Sequence, residues 1–255
     1  TMNAAPAISK VYDGGTGATL IAGNYTLNGL ETGDEVTVSG TAAYDTKVRG
    51  TGKTITVNAF ILGGAQKNNY SLTTTSATTT GSITAKSISL ALNAAPSISK
   101  VYDGATGATL VSGNYTLTGV ETGDEVTVSG TAAYDTRNAG SGKTVTASMF
   151  LLAGAEKENY TLTTTTATTT GSITAKPITV SLNAAPAITR AYNGATGATL
   201  AVGNYTLNDL VTGDDVTVSG TAAYDTRTTG TGKTVTVYGF VLAGAQKDNY
   251  TLTTT

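Results

Sequence analysis

The sequence predicts an all-β chain: three tandem immunoglobulin-like antiparallel β-sandwich modules arranged end to end as an elongated rod. Three observations lead there. The stretch Gly33–Val57 (GDEVTVSGTAAYDTKVRGTGKTITV) returns at Gly123–Ala147 and Gly213–Val237, a constant step of 90 residues. Thr, Gly, Ala, Val and Tyr dominate and 13% of residues are charged, a balance that suits pleated sheets rather than helices. Glycines cut each module into runs of strand length, about seven per module, the count of an immunoglobulin-like sandwich.

Taken in order, the elements recur without insertion or deletion. Asn3–Thr75 and Asn93–Thr165 agree at 54 of 73 positions, and the tyrosines Tyr12, Tyr44 and Tyr70 have counterparts in both later copies. A module of this length can enclose its own core, whereas solenoid repeats run about 20–50 residues. Val36 and Val38 alternate with polar neighbours. Ile55, Val57, Ala59 and Ile61 share one parity and therefore one expected face. Tyr25 with Leu27, and Tyr70 with Leu72, form shorter alternating pairs behind asparagine turns. The tyrosines have apolar partners and are expected to fill the core. In Gly81–Leu92 the apolar parity switches, from Ile83 and Ala85 to Ile88, Leu90 and Leu92, so the strand must bulge, twist or cross between two cores. Pro177, which cannot donate to a central ladder, stands at that switch in the second copy. The joints are therefore placed at Lys86–Ser87 and Lys176–Pro177. Module 1 is 1–86 with its first strand missing, module 2 is 87–176 and complete, and module 3 is 177–255 with its last strand missing. With no flexible linker between them, the modules are expected to couple stiffly.

Charge and composition narrow the function. Fifteen basic against 17 acidic residues leave no basic patch for nucleic acid. No apolar run reaches the length of a membrane span. Histidine and cysteine are absent, which removes the usual nucleophilic triads, and no enzyme activity is expected. Gly52–Lys53–Thr54 resembles the end of a phosphate loop, but Lys47 stands where its first glycine should be and a strand follows, so a hairpin turn is expected. Asp13, Glu31 and Asp34 are the calcium candidates, as loop carboxylates near a junction that itself carries none; no other cofactor is expected. Asn24 and Asn69 head glycosylation acceptor triplets that also read as plain asparagine turns. Lys53, Asp34 and Asn69 recur in every copy and could form an amide crosslink. The Thr-rich run Thr73–Thr80 reads as a solvated strand.

The motifs KVYDG (Lys10–Gly14), GDEVTVSGTAAYDTK (Gly33–Lys47), GTGKTITV (Gly50–Val57), NYSL (Asn69–Leu72) and ITAK (Ile83–Lys86) together resemble the YDG-type repeats of large, filamentous-haemagglutinin-like bacterial surface adhesins. The resemblance covers the chain three times over. The third copy departs at Asn193, where Asp13 and Asp103 stand in the others. The resemblance implies an extracellular, bacterial cell-surface or secreted protein active in cell adhesion or biofilm, whose repeats form a stalk and bring no catalytic residues. The expected partners are neighbouring repeats of the same protein and, through regions outside this stretch, cell-surface or matrix glycans. The chain itself is expected to be a monomer. The alternative is a set of weak carbohydrate- or ligand-binding modules acting through multivalency.

Overall fold

The structure, a computed structural model, describes residues 1–253. Thr254 and Thr255, which close the third module, lie outside the described residues. Strands dominate, and among the described residues helical structure is confined to three-residue 3-10 turns such as Ala22–Asn24. No helix is long and apolar enough to cross a membrane.

The first repeat supplies β1 (Ser9–Val11), β2 (Gly17–Ala18), β3 (Thr37–Tyr44), β4 (Gly50–Gly63) and β5 (Ser76–Thr84), a sheet ordered β1-β5-β4-β3-β2. The second supplies β6 (Lys86–Leu92), β7 (Ser99–Val101), β8 (Gly107–Ala108), β9 (Tyr115–Thr118), β10 (Thr127–Tyr134), β11 (Gly140–Ala153), β12 (Tyr160–Leu162) and β13 (Thr166–Thr174). The third supplies β14 (Lys176–Leu182), β15 (Gly197–Ala198), β16 (Tyr205–Asn208), β17 (Thr217–Tyr224), β18 (Val235–Ala243) and β19 (Tyr250–Leu252).

Among the described residues four of the five sheets are mixed, which corrects the expectation of purely antiparallel pairing; β15-β17-β18 alone is antiparallel throughout. β1 runs parallel to β5, β7 to β13, β12 to β6 and β14 to β19. In each case the partners are joined through several intervening elements rather than a tight turn, so no hairpin fixes their direction.

Two compact units result. One holds Thr1–Leu92, Tyr115–Gly130 and Ser148–Ala167; the other holds Asn93–Asn114, Thr131–Ala147 and Thr168–Thr255. These are not the sequence repeats: each unit combines parts of consecutive repeats. In the first unit, the five-stranded sheet of repeat one and the three-stranded sheet β12-β6-β9 of repeat two share one apolar core. Ile55, Val57 and Ile83 come from one sheet, Ile88 and Tyr160 from the other. The parity switch is the passage between those sheets. β5 ends at Thr84 and β6 begins at Lys86, leaving Ala85 as the pivot, and Ile83 and Ile88 turn into the same core. In the second unit Ile98, Tyr102, Tyr134, Val145 and Ile173 pack with Ile178 and Tyr250 in the same way. There β14 lies between β16 and β19, and β17 between β15 and β18.

The single-face reading of Ile55 through Ile61 fails at a bulge. The β3–β4 register shifts by one residue between Ser39 and Thr41, and Ala59 adopts φ 52°. Beyond it the faces exchange, so Ile55 and Val57 are fully buried while Ile61 is 67% exposed. Gly40 lies opposite the bulge, where a Cβ would stand 2.9 Å from Val57 Cγ1 and 3.0 Å from Asn58 O. The counterparts of Ala59 are Met149 at φ 52° and Gly239 at φ 63°, so the left-handed step recurs in all three repeats.

Three segments that form strands elsewhere do not do so here, one of them Tyr70–Leu72, the counterpart of β12 and β19. Thr189–Ala191, the counterpart of β1, is not in a strand. Tyr25–Asn28, the counterpart of β9, keeps only an isolated bridge between Met2 and Tyr25.

Candidate functional site

In each unit a polar cluster forms where one repeat meets the next, around a buried carboxylate. In the first unit this is Asp124, on the turn before β10, with a 2% exposed side chain. Tyr12, just past β1 of the preceding repeat, donates its hydroxyl to Asp124 Oδ2 at 2.7 Å, and Tyr160 at the start of β12 donates to the same oxygen at 2.5 Å. Lys47 Nζ reaches Oδ1 at 3.2 Å. The Glu121 N–H donates back to the Tyr160 hydroxyl at 2.9 Å. The two phenol rings meet edge to face, with centroids 5.4 Å apart. Beside them the Arg49 N–H donates to Asn159 Oδ1 at 2.9 Å, and Lys86 pairs with Glu121 at 2.5 Å.

The second unit repeats the arrangement with different supporting residues. Tyr102 and Tyr250 donate to Asp214 Oδ2 at 2.8 and 2.6 Å. The rings are again edge to face, and the Ala139 N–H donates to Asn249 Oδ1 at 2.7 Å. Arg137 replaces Lys47, and its guanidinium stands 3.5 Å from Asp214 Oδ1. That oxygen is buried without a hydrogen bond, so the ion pair alone faces it.

Electrostatics make the cluster a clamp. Burial alone would raise the Asp124 carboxyl, but the bonds from Tyr12, Tyr160 and Lys47 outweigh it and hold Asp124 below the usual carboxylate range. Burial, then the bond to Asp124, pushes the Tyr12 and Tyr160 phenols well up. Burial and Asp214 likewise push Tyr250 up to about 12. At neutral pH Asp124 is therefore an ionised acceptor and Tyr12 and Tyr160 are protonated donors, the pairing of a charge-assisted hydrogen bond.

This is the setting in which the chain's relatives become informative. The YDG domain profile matches three times, over residues 1–79, 84–168 and 174–255. The chain belongs to the YDG domain family. Nothing matches it among curated proteins or among solved structures. The motif letters acquire structural roles: the tyrosine of the YDG triplet is the clamp donor Tyr12 or Tyr102, and the following aspartate closes the adjacent turn. Asp13 accepts from Lys10 at 2.7 Å and from the Gly15 N–H at 2.9 Å. In the third YDG repeat Asn193 still accepts from the Ala195 N–H, so the turn survives without the charge.

The residues singled out from sequence are distributed as follows. Of the calcium candidates, Asp34 accepts from the Tyr70 hydroxyl at 2.7 Å and the Glu31 N–H donates to that same hydroxyl, while Asp13 is held by Lys10. Among the described residues no group of three or more metal-ligating side chains forms. Lys53 is held by Asp45 at 3.0 Å and Thr46 at 2.6 Å, closing the β3–β4 hairpin, so the trio Lys53, Asp34 and Asn69 is not assembled for a crosslink. Gly52, at φ 64°, sits in a second bulge of β4, not in a phosphate loop. Asn24 is 2% exposed, accepting from Ile21 N–H and donating to Pro6 O at 2.7 Å, which withdraws it from glycosylation. Thr78 and Thr80 are exposed on β5, as a solvated strand requires.

Sequence reasoning missed the clamp. It placed the tyrosines in the core and Asp34 on an ion, without joining them. The available signal was that tyrosine, aspartate and a basic residue (Lys47, Arg137, Arg227) all keep the same 90-residue step.

Proposed function

We propose that this chain is a run of structural stalk repeats from a bacterial cell-surface or secreted adhesin, extending an adhesive tip away from the cell. In this reading the repeats are immunoglobulin-like sandwiches set end to end as a monomeric, extracellular rod. One observation carries it: the Tyr–Asp–Tyr clamp occurs at both repeat-to-repeat joints, both hydroxyls donating to one carboxylate oxygen and a basic residue standing by the other. A chain that places its most specific polar cluster where repeats meet is built to hold repeats together. The few charged groups and the threonine-rich exposed strand faces suit a solvated spacer, and the absence of cysteine suits any redox environment.

Small-angle scattering of the chain tests the proposal. Strands of about ten residues at ~3.3 Å each give roughly 100 Å for three repeats. A rod of that length has a radius of gyration of about 29 Å, against about 18 Å for a compact globule of this size. A value near the lower figure overturns the stalk reading. Saturable binding on a glycan array by the chain itself would favour the multivalent binding reading instead.

A further inference from the structure

The third repeat carries Tyr-Asn-Gly where the other two carry Tyr-Asp-Gly, and the turn around the triplet is otherwise the same in all three. Asp13 accepts from Lys10 Nζ at 2.7 Å and from the Gly15 N–H at 2.9 Å. Asp103 accepts from Lys100 Nζ at 2.6 Å and from the Ala105 N–H at 2.9 Å. Each lysine also donates to the carbonyl of Gly15 or Ala105 and lies over the ring of Tyr44 or Tyr134. Around Asn193 the whole frame is present except the carboxylate. The Ala195 N–H donates to Asn193 Oδ1 at 3.1 Å, Arg190 donates to Ala195 O, and its guanidinium lies over the Tyr224 ring. The following glycine has the same left-handed backbone each time, with φ 75°, 78° and 77° at Gly14, Gly104 and Gly194. Asp13, Asp103 and Asn193 are all exposed. A cation is thus held beside a neutral amide, in a place that elsewhere holds an anion.

We propose that Asn193 is a self-modification site, where water converts the asparagine to aspartate and gives the third copy the triplet of the other two. The Gly194 nitrogen attacks Asn193 Cγ, giving up its proton to solvent as the new C–N bond forms. The Cγ–Nδ2 bond then breaks, and the amide nitrogen takes up a proton and leaves as ammonia. What remains is a five-membered cyclic imide joining Asn193 Cγ and its backbone carbonyl carbon through the Gly194 nitrogen. Water adds to Cγ, the bond from Cγ to the Gly194 nitrogen breaks, and that nitrogen recovers a proton. The ordinary backbone is restored with a carboxylate at 193. One water enters, one ammonia leaves, and nothing is oxidised or reduced.

The turn supplies what this sequence of bonds needs. Gly194 has no Cβ to crowd its attacking nitrogen. The Ala195 N–H points at Oδ1, the oxygen on which negative charge grows both when the imide forms and when water opens it at Cγ. That same donor selects the product. Opening the imide at the backbone carbonyl would give isoaspartate, with the main chain rerouted through the side chain, but the polarised carbonyl is the one at Cγ. Aspartate also keeps the Ala195 bond and gains Arg190 as a partner. In the first copy the equivalent bond from Lys10 holds the Asp13 carboxyl below the usual carboxylate range.

The test incubates the chain at mildly alkaline pH in heavy-oxygen water, folded and in unfolding concentrations of urea. Peptide mapping then follows residue 193, with the Asn193→Asp chain as the standard for the product. Heavy oxygen should accumulate at residue 193 of the folded chain. Aspartate should exceed isoaspartate several-fold there, and the order should reverse in urea, where the Ala195 donor is lost. Asn28–Gly29, the other Asn-Gly pair, has Thr118 and Asn208 as its counterparts, so no copy places a carboxylate there. Its product ratio should be the same folded and unfolded. Retention of the amide at 193 in the folded chain overturns the proposal, as does isoaspartate as its main product. An equal shift of the ratio at Asn28 also overturns it, because the turn around Asn193 would then have no part in the outcome.

Discussion

Asp124 and Asp34 occupy the same place in consecutive repeats, each in a Gly-Asp-Glu turn, yet their surroundings differ. Asp124 receives two phenols and a lysine and is 2% exposed at its side chain. Asp34 receives Tyr70 and is half-buried. The missing component is the tyrosine of a preceding repeat. The complementary case lies in the third repeat, where Tyr192 is 65% exposed while its counterparts Tyr12 and Tyr102 are each 1% exposed. Local sequence thus positions each half of the clamp, and only a neighbour buries it. Burial is what converts an ordinary surface hydrogen bond into a strong one.

The sharpest way to break the contrast is to remove the carboxylates. Asp124→Ala should cost about 3–5 kcal/mol in urea or thermal unfolding, because two buried hydroxyls and Lys47 lose their partner. Asp34→Ala should cost within about 1 kcal/mol, the worth of one partly exposed hydrogen bond. Equal losses would mean that the joint contributes no more than the turn. Next in size, Tyr12→Phe should cost about 1.5–3 kcal/mol for one hydrogen bond to a charged group, against no measurable change for Tyr192→Phe.

The pH profile separates the two halves of the clamp. Tyr250 is raised to about 12, so its contribution is complete below the unfolded phenol value of about 10 and is lost as pH rises from there through the folded value. Asp124 is lowered, so its contribution is complete above the unfolded carboxyl value of about 4 and is lost as pH falls through its lower folded value. Stability measured across both limbs should decline at each end, and Tyr250→Phe should flatten the alkaline limb.

The smallest effect concerns the bulge. Met149 is 71% exposed and held at φ 52°, so Met149→Gly should stabilise by about 0.5–1 kcal/mol, while Gly239→Ala should destabilise by a similar amount.

Much of this architecture was legible in the chain. The fixed step between copies, the strand-forming runs around Val38 and Ile55 and the parity switch between Ile83 and Ile88 all correspond to structural features. Pairing direction was not legible, because alternation says which face a residue takes and nothing about the neighbour it meets: β1 and β5 read alike whether parallel or antiparallel. The exchange of faces after Ala59 was hidden too, since alanine carries no sign of a left-handed backbone, and only Gly239 in the third copy hints at one. The clamp was obscured by the repetition itself. Tyr12 has Asp34 in its own repeat and Asp124 in the next, in identical local sequence, and nothing in the letters says which one it bonds. Burial decides, and burial is a property of the assembled joint.

Because the tyrosine at one edge of a repeat and the aspartate at the other are common to every copy, any copy can follow any other. Excising residues 87–176 would leave Tyr12 to meet Asp214 in place of Asp124, with Lys47 standing where Arg137 now does. Duplication would extend the series on the same terms. A gene encoding such a protein can lengthen or shorten its product by whole repeats through recombination, with no joint needing to be reinvented.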